Sequence, residues 1–477
     1  MLPRDVLGWV GVVGLIGWGA AASAEPMAAR SAEAMVDSIG VNVHLHYTDT
    51  PYTSYDEATR AVRFGEVYSA LEDSGIRHVR DAMLDTAFSP YYEQHNALHT
   101  ELGISATLVM DRSIRNRAAW DQPVDLRTDE ELLALLLEVA GRFDGLEAVG
   151  GYNEPDGPVE DDSWVAPTRA DQRVLFETFD GTLPVLGPPL TNWESYAELG
   201  DLSSQMHVGA FHPYPGGRAP ELGIGTEIAR QTPISGSLGL QATETGYHTA
   251  AGSGHSQPGV SEAVQAVYLP RLYMEYFRLG VERTFAYELL DTLVIDTQAP
   301  DDSGQESNFG LVRDDYSRRP AFDALARLIG LLEGESLPDA SLRSASASSG
   351  ASLDVELVSD LGDELRHVLL AGEDGVFYLA VWRAVEVADD GLGGVSVVGA
   401  DAVGEVGLTF AEPMAVASVF TPSSSADPLT VERGVSRLDL SLGGELVVVQ
   451  LQTVPEPGVA GLVLAGGGLM GWGRRRG

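Results

Sequence analysis

From Ser38 to Leu332, short apolar runs alternate with amphipathic stretches, and this alternation restricts the fold more than any other feature of the chain. The runs Ser38–Leu45, Ile76–Asp81, Ile104–Met110, Leu146–Gly151, Leu183–Gly187, Met206–Phe211, Gly239–Thr243 and Val281–Leu289 read as strands. Helical periods lie between them: Tyr55–Ser74 closed by Gly75, Glu93–Leu102 stopped by Gly103, Asp129–Phe143, Arg169–Phe179, and Ser261–Leu279 with Pro270 inside. Asp129-Glu130-Glu131 places negative charge at the positive end of a helix dipole. A last helix follows Arg319, with Pro320 suited to its first turn. Strands alternating with helices predict parallel pairing through crossover helices. Eight such units in about 300 residues is the length of a (β/α)8 TIM barrel. A doubly wound open sheet is the rival, but no Gly-rich phosphate loop follows the first strand.

At 477 residues the chain is too long for one core. After Leu332 a Ser-rich stretch gives way to short alternating runs: Leu353–Leu357, Arg366–Leu370, Val376–Val387, Gly407–Phe410, Val416–Phe420, Leu438–Leu442 and Glu445–Leu451. Turns at short intervals among such runs predict a C-terminal β-sandwich. The start of the chain reads as a secretory signal: Arg4, the apolar stretch Val6–Ala20, then the small-residue site Ala22-Ser23-Ala24. The expected division is a signal peptide at 1–24, a barrel at 25–334, a sandwich at 335–453 and a tail at 454–477.

Composition narrows the chemistry. There is no cysteine, hence no disulfide, thiolate nucleophile or thiolate metal site. Seventy acidic residues face thirty basic ones, all arginine, for a net charge of −40. That charge repels nucleic acid and anionic membranes as partners. It fits an exported protein, or a codon bias toward Arg, Asp and Glu.

The chemistry-bearing residues fall at strand ends. In Val149-Gly150-Gly151-Tyr152-Asn153-Glu154-Pro155, Pro155 cannot donate to a ladder, so the fourth strand stops and leaves Asn153 and Glu154 at its C-terminal end. Barrel enzymes keep their catalytic groups there. Glu244 has the same setting after the seventh strand, and the two carboxylates are expected to face each other across a sugar-binding cleft. Arg80 ends the second strand, His212 and Tyr214 follow the sixth, and Tyr287 lies in the eighth. Trp120, Trp164 and Trp193 fall in loops after strands three, four and five, where exposed indoles suit stacking on sugar faces. The plainer alternatives are solvated carboxylates or helix caps, an Arg80 pair with Asp81 or Asp85, and indoles that wedge loops together. His44 and His46 share a face of the first strand, but without Cys or a His-Glu-x-x-His motif no metal is expected. The acidic loop Asp291–Asp302 lacks the EF-hand spacing.

Arg80, Asn153-Glu154, His212-Pro213-Tyr214 and Glu244, in this order, resemble the clan A glycoside hydrolases. So do Arg283–Leu289, Phe309-Gly310-Leu311-Val312 and Arg319-Pro320-Ala321-Phe322; the nearest similarity is to family thirty-nine-like or family five-like members. The resemblance implies an exported retaining hydrolase that cleaves β-linked glycosides by a two-glutamate double displacement, with no cofactor. By carry-over, Glu154 is the acid/base and Glu244 the nucleophile; Asn153 holds the sugar 2-hydroxyl and Arg80 keeps Glu244 ionised. Tyr214 or His212 orients Glu244, while Tyr287, His44 and Trp164 contact or support an oligo- or polysaccharide substrate; Glu288 reads as structural. Val376–Arg383 resembles a strand of the small β-domains that accompany such barrels. The rival from another class is a catalytically inactive carbohydrate-binding surface or extracellular-matrix protein.

The end of the chain, Val454-Pro455-Glu456-Pro457, a Gly-rich apolar run and Arg474-Arg475-Arg476, resembles the PEP-CTERM sorting signal of Gram-negative bacteria. It implies transient membrane anchoring with arginine on the cytoplasmic side. It also implies an exosortase-type processing enzyme and delivery to the cell envelope or extracellular matrix.

Overall fold

The computed structural model describes residues 26–454, apart from 48–49, 53–63, 87, 117–124, 158–161, 251–256, 293–303, 335–350, 392–393 and 400–402. The signal segment, the sorting tail from Pro455, the early part of the Tyr55–Ser74 helix, Trp120 and most of the acidic loop lie outside the described residues.

All eight expected barrel strands form. They are β1 (Ile39–Asn42), β2 (His78–Met83), β3 (Ser105–Met110), β4 (Leu146–Gly150), β5 (Val185–Leu186), β6 (Gly209–Phe211), β7 (Leu240–Thr245) and β8 (Arg283–Ala286). They pair in parallel in the order β5-β4-β3-β2-β1-β8-β7-β6. A parallel bridge between Leu186 and Val208 brings the two end strands together, so the sheet is a nearly closed TIM-like barrel. Gly40 is required by the interior: a Cβ there would stand 2.5 Å from the Phe285 ring. The floor at the N-terminal strand ends is ionic, with His78 3.0 Å from Asp37 and 2.9 Å from Glu147, and Arg283 3.0 Å from Glu147.

The helices follow their sequence signals. Asp129–Ala140 starts on a capping box, in which the Thr128 side chain accepts the Glu131 N–H and the Glu131 carboxylate accepts the Thr128 N–H. Leu132, Leu136 and Val139, at helical spacing, form its buried face. Gly75 and Gly103 close Gly65–Ser74 and Ser89–Leu102 in the left-handed conformation. The first strand is shorter than expected. The chain leaves the ladder after the Val43 N–H bonds the Arg80 carbonyl, and a turn then closes with the Tyr47 N–H on the His44 carbonyl. His44 and His46 therefore stand on the loop above β1.

The C-terminal unit is an antiparallel sheet that folds over itself. The strands of this unit are β9 (Ser352–Leu353), β10 (Val355–Ser359), β11 (Leu365–Ala371), β12 (Val376–Arg383), β13 (Val387–Asp389), β14 (Val395–Val397), β15 (Gly404–Phe420), β16 (Thr430–Leu442) and β17 (Val447–Gln452), of which β13 and β14 pair only with each other and β9 stands outside the main sheet. Gly407–Phe410 and Val416–Phe420, expected as two strands, are halves of β15, whose register against β16 shifts between Thr409 and Met414 around Pro413. The first half pairs with β10 and the second with β17, so side chains such as Leu408, Val419, Leu379, Leu440 and Val449 share one core. The first described strands pair with this unit. Met27–Ala28 makes a two-stranded antiparallel pair with β9, and Arg30–Ser31 adds to the main sheet in parallel beside β11. Two-residue strands carry no period to read.

One buried ion pair ties the units together. Arg271, in the barrel helix Glu262–Arg278, is fully buried and grips Glu221 with Nε at 3.0 Å and Nη2 at 2.6 Å. It also donates to the Gly444 carbonyl at 2.8 Å and the Val385 carbonyl at 3.0 Å. Val387, Val395 and Val397 pack on the same helix cluster. Removing one partner of a buried pair strands the other charge. Arg271→Ala should therefore lower unfolding free energy by about 3–5 kcal/mol in denaturant melts, and Arg271→Met with Glu221→Leu should recover most of the loss.

Candidate functional site

The C-terminal ends of the barrel strands open into a cleft of about 520 Å³ whose lining includes His44, Asn153, Glu154, Tyr214, Glu244 and Tyr287. The chain reaches it from β4 through a strained residue: Glu154 has φ 47° in the left-handed region, which costs a non-glycine residue about 1–2 kcal/mol. The Gly157 N–H on the Glu154 carbonyl, 3.1 Å, holds this turn.

Glu244, at the end of β7, is buried and gripped from two sides. Arg80 Nη1 donates to Oε1 at 2.7 Å, and the Tyr214 hydroxyl donates to Oε2 at 3.1 Å. Burial alone would push this carboxyl up; His212, Arg80 and Tyr214 outweigh it and hold Glu244 below the ordinary carboxylate range. Arg80 also donates to Asn42 Oδ1 at 2.9 Å and to Asn153 Oδ1 at 2.6 Å. Asn42 turns its amide to the carbonyls of Thr243 at 3.1 Å and Ala286 at 3.3 Å.

Glu154 stands opposite. His212 Nδ1 is 2.6 Å from Glu154 Oε1 and 3.6 Å from Glu244 Oε2. One oxygen of each carboxylate and this nitrogen all lie within 4.8 Å of one another. The environments differ: the Glu154 side chain is 31% exposed, that of Glu244 only 10%.

The wall above β8 and β1 is aromatic. Tyr287, whose peptide bond to Glu288 is cis, meets Phe309 edge-on at 5.3 Å between ring centroids, and His44 stacks on Tyr47 at 4.4 Å. Behind His44, its Nε2 approaches the fully buried Glu288 at 3.2 Å. Burial pushes the Glu288 carboxyl up, with His44 countering in part.

Among the described residues, two clusters have donors close enough to hold a cation: Glu154 with His212 and Glu244, and His44 with His46 and Asp81. In the second, the Asp81 oxygens already accept the Leu45 and Ala82 N–H groups and face His46 at 2.8 Å and His95 at 3.0 Å. Burial opposes the Asp81 charge, but His46 and His95 hold its carboxyl well below the usual range. It is a brace for the loop that carries His44.

Of the residues named from sequence, Glu154, Glu244, Asn153, Arg80, His212, Tyr214, Tyr287 and His44 surround this one cleft. Trp164 does not. It is 7% exposed and packs with Leu190, Tyr196, Leu199 and Met206 where the helix Val165–Phe179 begins. The apolar neighbours at that helix start bury the indole, whereas Trp193, one loop later, opens onto the cleft. Asn42, Tyr47 and Phe309 were not singled out as site residues. Asn42 falls inside the expected first strand, Ser38–Leu45, and stands at a strand end only because the observed strand stops there.

No family model and no curated protein matches the chain. Solved structures do, glycoside hydrolases among them. A glucosidase from Croceicoccus marinus aligns with TM-score 0.52 at 12% identity over 91% of this chain and 98% of its own. The GH39 enzyme from Xanthomonas axonopodis pv. citri aligns with TM-score 0.50 at 12% identity over 92% of this chain and all of its own. At this identity the likeness establishes the shared architecture of barrel and C-terminal sandwich.

The electrostatics of Glu244 can be checked directly. Arg80→Met should move the Glu244 titration upward, read by carboxyl-carbon NMR. A carboxyl lowered by folding stabilises the fold above its unfolded value, about 4.3, and loses that contribution as pH falls through the native value. The stability advantage of the unmodified protein over the variant should therefore shrink in denaturant melts as pH is lowered from 7 to 3.

Proposed function

We propose that the protein is a retaining glycoside hydrolase acting on β-linked oligo- or polysaccharides, with Glu154 as acid/base and Glu244 as nucleophile. The observation that carries the reading is the pair of carboxylates with oxygens within 4.8 Å across an open cleft. Retaining enzymes hold their carboxyls about 5–5.5 Å apart, whereas inverting ones need about 6.5–9.5 Å to admit a water.

In the first step the protonated Glu154 carboxyl gives its proton to the glycosidic oxygen. A Glu244 carboxylate oxygen bonds to the anomeric carbon as the bond to the leaving oxygen breaks, and the alcohol departs. Glu154, now a carboxylate, takes a proton from water. The resulting hydroxide oxygen bonds to the anomeric carbon, and the ester to Glu244 breaks. Both side chains return to their starting states. The environments suit the division: the half-exposed Glu154 can exchange protons with solvent, and the buried Glu244 is kept ionised by Arg80 and Tyr214. Asn153, fixed through its oxygen by Arg80, keeps its amide for the sugar 2-hydroxyl. His212 fixes the Glu154 side chain through Nδ1.

Export is part of the proposal. It is supported by the signal-like start and by the order Pro-Glu-Pro, apolar run, arginines at the other end. Delivery to the envelope or matrix of a Gram-negative bacterium follows from that order.

The test is kinetic. On a panel of aryl β-glycosides the protein should turn over at least one sugar. Glu244→Ala should abolish that turnover, with azide restoring part of it as a glycosyl azide. Glu154→Gln should lower kcat about 10²–10⁴-fold on poor leaving groups and far less on 4-nitrophenol. Binding of glycans without turnover on any of them would favour the catalytically inactive carbohydrate-binding protein.

A further inference from the structure

Asp156 is a buried carboxylate that the two-step reaction does not use. It is 1% exposed and lies two residues after Glu154. Its two oxygens reach across to the loop after β5, where they accept the Thr191 N–H at 2.9 Å and the Asn192 N–H at 2.9 Å. The Asn192 side-chain amide adds a third bond at 3.2 Å. Charge-assisted bonds of this kind are among the stronger ones, and here they fix one loop to another. The next residue is Trp193, whose indole lines the cleft and is 64% exposed, more than any other large apolar residue among those described. An indole this exposed, on a loop held by a buried carboxyl group, is a positioned surface with no partner among the described residues.

Its place relative to the reaction follows from the barrel order. β5 is the direct neighbour of β4, which carries Glu154, while β7, which carries Glu244, pairs with β8, and β8 in turn with β1, the two strands below the wall of Tyr287, Tyr47 and His44. A general acid must stand beside the oxygen it protonates, and the nucleophile must stand across the anomeric carbon from that oxygen. The donor ring therefore lies toward the β8 and β1 wall, and the departing group lies over the β4 and β5 loops. Polar groups line the same cleft: Thr191 on the loop of the indole, and Arg230, on the helix Ile224–Arg230 after β6 and paired with Glu227 at 2.5 Å. A flat apolar face beside hydrogen-bonding groups matches a pyranose ring, which has both.

We infer that Trp193 is the platform for a leaving group that is itself a sugar, and that Asp156 is the positioning residue that sets this platform against Glu154. The inference rests on the hydrolase reading and narrows it to substrates of at least two saccharide units, with the second sugar recognised as well as the first.

The test compares two substrates of the same donor sugar. One is a β-linked disaccharide; the other is the 2,2,2-trifluoroethyl glycoside, whose leaving alcohol is of similar acidity but has no ring to stack. Trp193→Ala should lower kcat/KM about ten-fold on the disaccharide and less than two-fold on the trifluoroethyl glycoside. Asp156→Asn, which keeps the shape and one acceptor, should give a smaller loss with the same selectivity, and Asp156→Ala a larger one. Equal losses on both substrates would overturn the inference while leaving hydrolysis by Glu154 and Glu244 intact. Calorimetric titration of the disaccharide into Glu244→Ala, and into the same protein carrying Trp193→Ala as well, reads the same contact without turnover. Weaker binding by the variant supports the platform, and unchanged affinity overturns it even if the hydrolase reading fails.

Discussion

The Arg80 guanidinium is the fixed point of the site. From β2 it reaches Asn42 at the end of β1, Asn153 beyond β4 and Glu244 at the end of β7. Four strand ends are thereby set by one rigid, planar cation, whose fork of donors a lysine could not copy. Asn42 extends the frame to β7 and β8 through two backbone carbonyls. Burying a guanidinium is costly unless it is paired and its donors are satisfied. The cost is met here by aiming it at a carboxylate and two amide oxygens, so the arrangement that tolerates Arg80 also orients Glu244 and Asn153.

From that frame follows a difference between two glutamates of the same chemical type. Glu244 is buried among cationic and hydroxyl donors; Glu154 sits on a strained turn at the cleft edge, with His212 as its partner. This difference in surroundings suits the proposed roles, Glu154 as acid/base and Glu244 as nucleophile. The secondary supports lie farther out. Asp81 braces the His44 loop from beneath. Arg271 and Glu221 join the cleft-bearing barrel to the folded-over sheet.

Much of this was legible in the residues. Eight apolar runs at regular spacing announce the barrel, and strand-end position marks Glu154, Glu244 and Arg80 before any coordinates, because a barrel presents its chemistry at one end of its strands. What escaped is what period and position do not encode. Trp164 and Trp193 both sit in loops, and only packing reveals that one is a wedge and the other faces the cleft. Phe309 comes from far along the chain and meets Tyr287 only through tertiary folding. The strands at Met27–Ala28 and Arg30–Ser31 are too short to carry a pattern. The merging of two expected strands into β15 depends on a bulge around Pro413, which from sequence alone reads as a break.

The central claim is that the Glu244 oxygen makes a covalent bond to the sugar. Its most direct test is trapping: incubation with a panel of 2-deoxy-2-fluoro glycosyl fluorides, intact mass measurement, and peptide mapping of any adduct. The account predicts a single added glycosyl group on the peptide that carries Glu244. An adduct mapped to Glu154 or another carboxylate, or hydrolysis of the matching substrate with no adduct at all, would contradict it.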